Sequence, residues 1–519
     1  MASEILAKKH FASRRTPPKP VVLDLGSGKI KSGYASYEAF APLRTFVSCI
    51  AKEGSRKAGR DCPCCALPLT HGHAVNDWPF CRVPPRSQCP LDRGRVRDFG
   101  VLEGVIGHAL NCELQTYAKE SKLILTGYAV EGCPEELIQI CFEKFQVPRL
   151  GLVPSPILVM YGTGRVEGVV VDVGHGQSNV SVCLGGQVDT KCTQSVPVGG
   201  LHLTEQLKSL VMESNRASGL GGKIMNEFGD LYIWNSMKEK FGRLATHGVS
   251  ANAVWDAKTS LIDRRMALLQ SAKKQFLPVR LMPDMDRRGL FCHLFEFDGQ
   301  IPSGAEEYPM LLPDGMELVL RNELTNFGEL LFQRSDNVIY APGSDRMHLS
   351  PGRRYTGKLI GDFPNRNERQ KMPSPRFEGI GGPRIGHRST DMFSASNFRE
   401  QSEEPTVPSL QDAFWNAIET PGLSNSHRKV LQDNVILCGG TTLLEGFEER
   451  FRHEVTARGG WGSTGIKLYA PEGREHLAWT GGSVLGMSSF AEGSLMSTRE
   501  EYMESGPAIM QDRMQTFYS

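Results

Sequence analysis

Two unbroken apolar runs, Val21-Val22-Leu23 and Val169-Val170-Val171, each stop at an aspartate and a glycine-rich turn, with a second strand-like segment behind. The first turn reads Asp24-Leu25-Gly26-Ser27-Gly28 and leads into Lys29 to Tyr34. The second reads Asp172-Val173-Gly174-His175-Gly176 and leads into Ser178 to Val182. This pattern predicts strand, tight turn, strand in both places. Elsewhere the apolar spacing changes. Val101, Leu102, Val105, Ile106 and Leu110 recur near helical intervals and predict an amphipathic helix over 98–120. Glu135 to Phe145 predicts a second helix that stops near Pro148, strands resume over 150–196, and Gly199-Gly200 opens a helix carrying Leu203, Leu207, Leu210 and Val211. Residues 20–50 read as a run of strands. Strand blocks alternating with helix blocks predict an α/β protein.

The two turns carry the candidate chemistry. Glycine permits positive φ and close backbone approach, so successive N–H groups of such a turn turn toward phosphate oxygens, and a nearby lysine adds a full charge. Lys31 is placed for that role. An aspartate at the end of each strand suits a hydrated divalent cation, which takes a few carboxylates and keeps several waters; Asp24 and Asp172 are those carboxylates. One such turn alone is most simply an ordinary hairpin. A matched pair is a way to grip a polyphosphate from two sides.

Length and composition bound this reading. A chain of 519 residues is long for one core and predicts two domains or a bilobed body. A net charge of +1 excludes a surface wholly adapted to nucleic acid. No apolar stretch is long enough to cross a bilayer, and residues 1–20, with Lys8, Lys9, Arg14 and Arg15, lack the apolar core of a secretory signal. The expected location is the cytoplasm or cytoskeleton, with the nucleus also open. Thirteen scattered cysteines, an odd number, suit reduced thiols better than a disulfide framework. Cys62, Cys64, Cys65, His71, His73 and Cys81 form a second cluster that could hold zinc, although its spacing is not that of a paired knuckle and plain loop thiols are the simpler reading.

Further motifs appear downstream: Tyr161-Gly162-Thr163-Gly164-Arg165, Met237-Lys238-Glu239-Lys240, Leu312-Pro313-Asp314-Gly315, Asn434 to Thr442 with its Cys438-Gly439-Gly440-Thr441 turn, Ala478 to Leu485, and Glu501 to Pro507. In order and wording these and the two turns resemble actin and the actin-related proteins, within the superfamily that also holds sugar kinases and heat-shock chaperone ATPase domains. The resemblance covers most of 20–50, 90–245, 310–333 and 408–510.

The resemblance implies an actin-like ATPase fold, α/β and bilobed, with two RNase H-like domains each carrying an inserted subdomain, and ATP or ADP with Mg or Ca in the central cleft. It implies an N-terminal extension at 1–19, a first lobe at 20–160 with a divergent Cys/His-rich insert near 52–90, and a second lobe starting at 161–333. A basic low-complexity insertion departs from the family at 334–408, with nine Lys or Arg against three Asp or Glu between Arg353 and Arg388, a composition that favours disorder over a packed subdomain; the second lobe resumes at 409–519, its last helices returning to the first. By position, Asp24 and Asp172 would lie at the metal and Ser27, Gly28, Lys31, Gly174 and Gly176 at the phosphates. Lys238 and Glu239 would flank the adenosine, with Gly439, Gly440 and Thr441 opposite. A partner-binding cleft would involve Tyr161, Gly164, Leu485 and Ser488.

Departures from the family are concentrated where hydrolysis needs polar reach. Ser155 stands in place of the cleft glutamine that orients water, His175 in place of an aspartate, and Asn179 in place of a histidine. Serine lacks glutamine's length, and an imidazole removes negative charge beside a cation. Glu475 replaces a lysine near the adenine and Leu444 an aromatic residue. The preferred expectation is a divergent actin-like protein that binds nucleotide, hydrolyses it slowly or not at all, and serves a cytoskeletal or chromatin-associated assembly through protein partners, meeting nucleic acid only indirectly. The alternatives are a polymerising actin-type ATPase and, on the same fold, a small-molecule kinase.

Overall fold

A computed structural model describes residues 19–48, 50–51, 87–131, 134–214, 231–245, 277–285, 291–297, 308–311, 317–320, 322–333, 338–339, 348–349, 407–459 and 465–519. The Cys62–Cys81 cluster and the Leu312-Pro313-Asp314-Gly315 motif lie outside them. The chain divides into two compact units, one of Met1–Arg334 with Pro408–Ser519, the other Ser335–Val407. In the smaller unit Val338–Ile339 pairs antiparallel with His348–Leu349.

Two sheets of matching topology build the larger unit. One contains β1 (Val21–Leu25), β2 (Lys29–Tyr34), β3 (Arg44–Val47), β4 (Leu123–Thr126) and β5 (Arg149–Leu152). The other contains β6 (Gly168–Val173), β7 (Ser178–Leu184), β8 (Gln187–Val196), β9 (Val435–Cys438) and β10 (Leu468–Tyr469). Their spatial orders are β3-β2-β1-β4-β5 and β8-β7-β6-β9-β10, and β11 (Met496–Thr498) extends the first beyond β5. In each, an antiparallel hairpin lies on one side and parallel strands on the other. The central strands are mostly apolar because both faces are covered, Asp24, Thr126 and Asp172 near their ends being the exceptions; β1, β4 and β9 are buried along their whole length.

Helices complete the layers. Asp98 caps α1 (Phe99–His108) by accepting from the Val101 amide at 3.0 Å, and the helix runs on as a wider turn over Ala109–Glu113 rather than to residue 120. The predicted helix from Glu135 comprises α2 (Glu135–Gln139) and a similar wide turn over Ile140–Lys144. The strands expected over 150–196 are present, but α3 (Ser155–Thr163) interrupts them. Pro156 suits a first helical turn, and Gly164, left-handed at φ 65°, ends it. Ser155 through Met160 are all buried, so the segment has no polar face to reveal a helical period.

Following the second sheet's hairpin come α4 (Gly200–Ser214) and α5 (Leu231–Phe241). Later in the chain α6 (Leu410–Ile418) and α7 (Phe447–Gly459) pack together, with Trp415 Nε1 donating to the Val455 carbonyl at 3.0 Å. Finally α8 (Leu477–Gly486) crosses α3 at close range. A Cβ on Gly481 would lie 1.8 Å from the Leu158 carbonyl oxygen, and one on Gly162 2.8 Å from that of Leu477. Trp479 of α8 is buried and donates to the Val22 carbonyl at 3.1 Å, which ties this helix to β1. No helix among the described residues is long and apolar enough to cross a membrane.

Candidate functional site

The shared topology puts the two aspartates in equivalent places. Asp24 near the end of β1 is opposite Lys31 across its hairpin and Thr126 across the parallel pair. Asp172 near the end of β6 is opposite Asn179 and Cys438. Each parallel neighbour then turns through a left-handed glycine, Gly127 at φ 103° and Gly439 at φ 89°. The close approach at these turns also demands glycine: a Cβ on Gly127 would be 2.6 Å from the Leu25 carbonyl oxygen, and one on Gly439 2.4 Å from Asp172 Oδ1.

Charge is handled differently in the two halves. Lys31 Nζ donates to Asp24 Oδ2 at 2.5 Å, and both side chains are largely buried. Burial works against the Lys31 charge, but Asp24, with Asp172 behind it, outweighs that and holds the ammonium above its ordinary value. Asp172 has no such partner at its own register position. Desolvation pushes its carboxyl up to about 6, with Lys31 opposing and Asp24 adding to the rise. The same crowding reaches its neighbours. The Glu131 carboxyl is pushed to about 8 by desolvation and then by Asp172. Burial and the Asp172 charge also raise the Tyr128 hydroxyl and the Cys438 thiol. The Tyr128 hydroxyl lies near Asp172 without forming a well-aligned hydrogen bond.

The hairpin tips meet. The Gly176 amide donates to Ser27 Oγ at 3.1 Å, and the His175 ring lies over Gly28. Burial lowers the His175 pKa to about 3, with the charges of Lys238, His202 and Lys29 acting in the same direction, so the imidazole is neutral at physiological pH. Behind the second tip, the Gly174 carbonyl accepts from the Gly200 amide and from Thr441 Oγ1, both at 2.9 Å, and the His175 carbonyl accepts from the Leu201 amide at 2.7 Å. The second hairpin thereby caps α4 and joins the turn after β9. Gly440, next to Thr441, has open space where a side chain would project.

Lys238 and Glu239 take divergent positions on α5. Lys238 is buried and its Nζ donates to the Gly200 carbonyl at 2.7 Å and to Thr204 Oγ1 and Asn235 Oδ1 at 2.9 Å each. Desolvation lowers its pKa to about 8. Its ammonium is committed to α4. Glu239 faces outward, accepting from Asn235 Nδ2 at 2.8 Å and pairing at 3.6 Å with Lys29 of the first hairpin.

Ser155 is buried at the start of α3, and Asn179 is buried with its Nδ2 lacking a hydrogen-bond partner. Glu475 Oε1 lies 3.3 Å from His476 Nε2, and Glu475 Oε2 and His476 Nδ1 are buried without partners. The cleft glycine pattern was visible in sequence; Tyr128, Glu131, Arg93 and His476 were not, because strand pairing and loop packing bring them in from distant segments. Arg93, at φ 48°, lays its backbone against Gly176. Of the residues expected at the partner cleft, Leu485 of α8 packs into the core at 2% exposed, whereas Tyr161 is 44% exposed. The expectation of reduced thiols is also incomplete. Cys112, Cys141, Cys183, Cys192 and Cys438 are free, but Cys89 is disulfide-bonded.

The residues present fit a nucleotide with its cation. A carboxylate crowded by other carboxylates, an orphaned buried amide donor at Asn179 and an open glycine turn at Gly440 are features that a cation and an anionic, hydrogen-bonding ligand would satisfy. Paired sheets with aspartate hairpins joined by a close helix crossing define an actin-like ATPase fold. The actin family profile matches residues 16–515, and the chain belongs to the actin family. It is 24% identical to mouse actin-like protein 9 over 96% of this chain and 89% of that protein. Human actin-like protein 9 is 23% identical over 96% and 88%, and human actin-like protein 7B 22% identical over 94% and 86%.

Proposed function

We propose that this divergent actin-family protein binds ATP or ADP with Mg or Ca between its two hairpins, hydrolyses it slowly or not at all, and acts as a structural subunit of a cytoskeletal or chromatin-associated assembly, in the cytoplasm or cytoskeleton or in the nucleus. The observation that carries the reading is the facing pair of aspartate hairpins, joined tip to tip by the Gly176 to Ser27 bond. Ser27, Gly28 and Lys31 would hold phosphates from one side, with Gly174, Gly176 and the Gly439-Gly440-Thr441 turn from the other. Asp24 and Asp172 would hold the cation, directly or through its waters, and the cation would supply positive charge to the phosphates and to Asp172. Glu239 would border the nucleoside; Lys238 would support that wall by holding α4.

Slow turnover follows from the residues that replace the water-positioning set. Ser155 is short and buried, His175 is neutral, and Asn179 cannot take a proton from water. Protein partners would use the exposed Tyr161 face beside Gly164 and Ser488. Purified full-length protein should bind Mg-ADP or Mg-ATP in equilibrium titrations, release phosphate far more slowly than actin and fail to pellet on its own. Rapid turnover with pelleting would replace this reading with that of a polymerising ATPase. Phosphorylation of an added sugar would replace it with a kinase.

A further inference from the structure

We infer that the cleft takes a nucleoside diphosphate in preference to the triphosphate, an inference that rests on the nucleotide reading above. The two tips leave the slot between them filled by the chain's own groups. The imidazole of His175 is packed on Gly28 so closely that a Cβ there would be 2.6 Å from its Cγ. The Gly176 amide donates to Ser27 Oγ, and a Cβ on Gly176 would lie 2.9 Å from that oxygen and 3.3 Å from the Arg93 backbone.

Three further peptide groups of the second tip are engaged within the chain. Gly174 donates to the Gln177 carbonyl at 3.0 Å, while its carbonyl and that of His175 cap α4. Lys31, the cation of the first hairpin, is the charged donor held among the phosphate-facing groups. Two phosphates therefore have a place along the first hairpin and Lys31. A third must enter between the tips, displacing His175 and breaking the Ser27 bond.

The test is competition between ADP and ATP for a fluorescent ADP analogue bound to the full chain in excess Mg. ADP should compete at least ~10-fold better than ATP, the factor that one lost hydrogen bond plus displaced packing supplies. The variant H175G should narrow that ratio to within about 3-fold, and S27A, which removes the tip bond and leaves the ring, should narrow it in the same direction. Equal or tighter binding of ATP by the wild type overturns the diphosphate preference and leaves the nucleotide reading standing. A ratio unchanged in both variants overturns the assignment to the tips. Failure of either nucleotide to bind the wild type overturns the nucleotide reading itself.

Discussion

The two halves of the cleft share a topology and differ in one charge. Across the hairpin, Asp24 is opposite Lys31 and Asp172 is opposite Asn179. The first half satisfies its carboxylate internally through a 2.5 Å ion pair. In the second half the carboxyl is pushed up to about 6 with no cation at the corresponding position. A repeated fold therefore does not imply repeated electrostatics: one half is complete as folded, and the other gains from an external cation.

Removing each aspartate charge should break this symmetry most sharply. Asp24→Asn leaves the largely buried Lys31 without its closest partner and should destabilise the chain by about 3 kcal/mol in denaturant unfolding. Asp172→Asn should do the opposite in nucleotide-free protein. A carboxyl raised from 3.8 to about 6 binds its proton more tightly in the folded state, so its contribution is present at low pH and is lost as pH rises through that window. Above it, neutralising the group should leave stability unchanged or raise it by up to ~3 kcal/mol. Destabilisation by both variants alike would contradict the difference between the halves.

Equivalent glycines offer a second comparison. Gly127→Ala and Gly439→Ala both place a Cβ at positive φ against a carbonyl or carboxylate, and each should cost about 2 kcal/mol or more. Only Gly439→Ala displaces Asp172, so only it should also weaken Mg-nucleotide binding beyond what its lower stability explains.

The pH dependence of the tips should be no larger. His175 is held neutral, with a folded pKa of about 3 against 6.5 when unfolded, so protons favour the unfolded state between those values and its contribution to stability is lost as pH falls through them. His175→Gln removes that loss, and the stability difference between variant and wild type should move toward the variant by about 2 kcal/mol between pH 7 and 5. A pH-independent difference would place the imidazole in a solvated site. The smallest effect belongs to the half-exposed Lys29–Glu239 pair, 3.6 Å apart, where Lys29→Ala should change stability by no more than ~0.5 kcal/mol.

Sequence patterning revealed the parts whose cause is local. Each hairpin is legible because an apolar run, an aspartate and glycines occur within ten residues of one another, give or take the flanking strand. The helix Ser155–Thr163 was hidden because its first six residues are all buried, and helical period is visible only where one face meets water. Likewise, nothing near Asp172 in sequence announces Cys438 or Glu131; parallel pairing of β6 with β9 and the fold of the first sheet deliver them. Lys238 was expected beside the adenosine, and its burial was not legible in the sequence. Its partner, the Gly200 carbonyl, is a property of tertiary packing and not of its own helix.

The central claim, that the second hairpin's aspartate is completed by an external cation and nucleotide, is tested most directly by thermal unfolding of nucleotide-depleted protein with and without saturating Mg-ADP. At about 100 times the dissociation constant the ligand should stabilise the wild type by ~2.7 kcal/mol, read as a rise of a few degrees in Tm, and Asp172→Asn should lose most of that rise. An equal rise in both proteins, or none in the wild type, would contradict it.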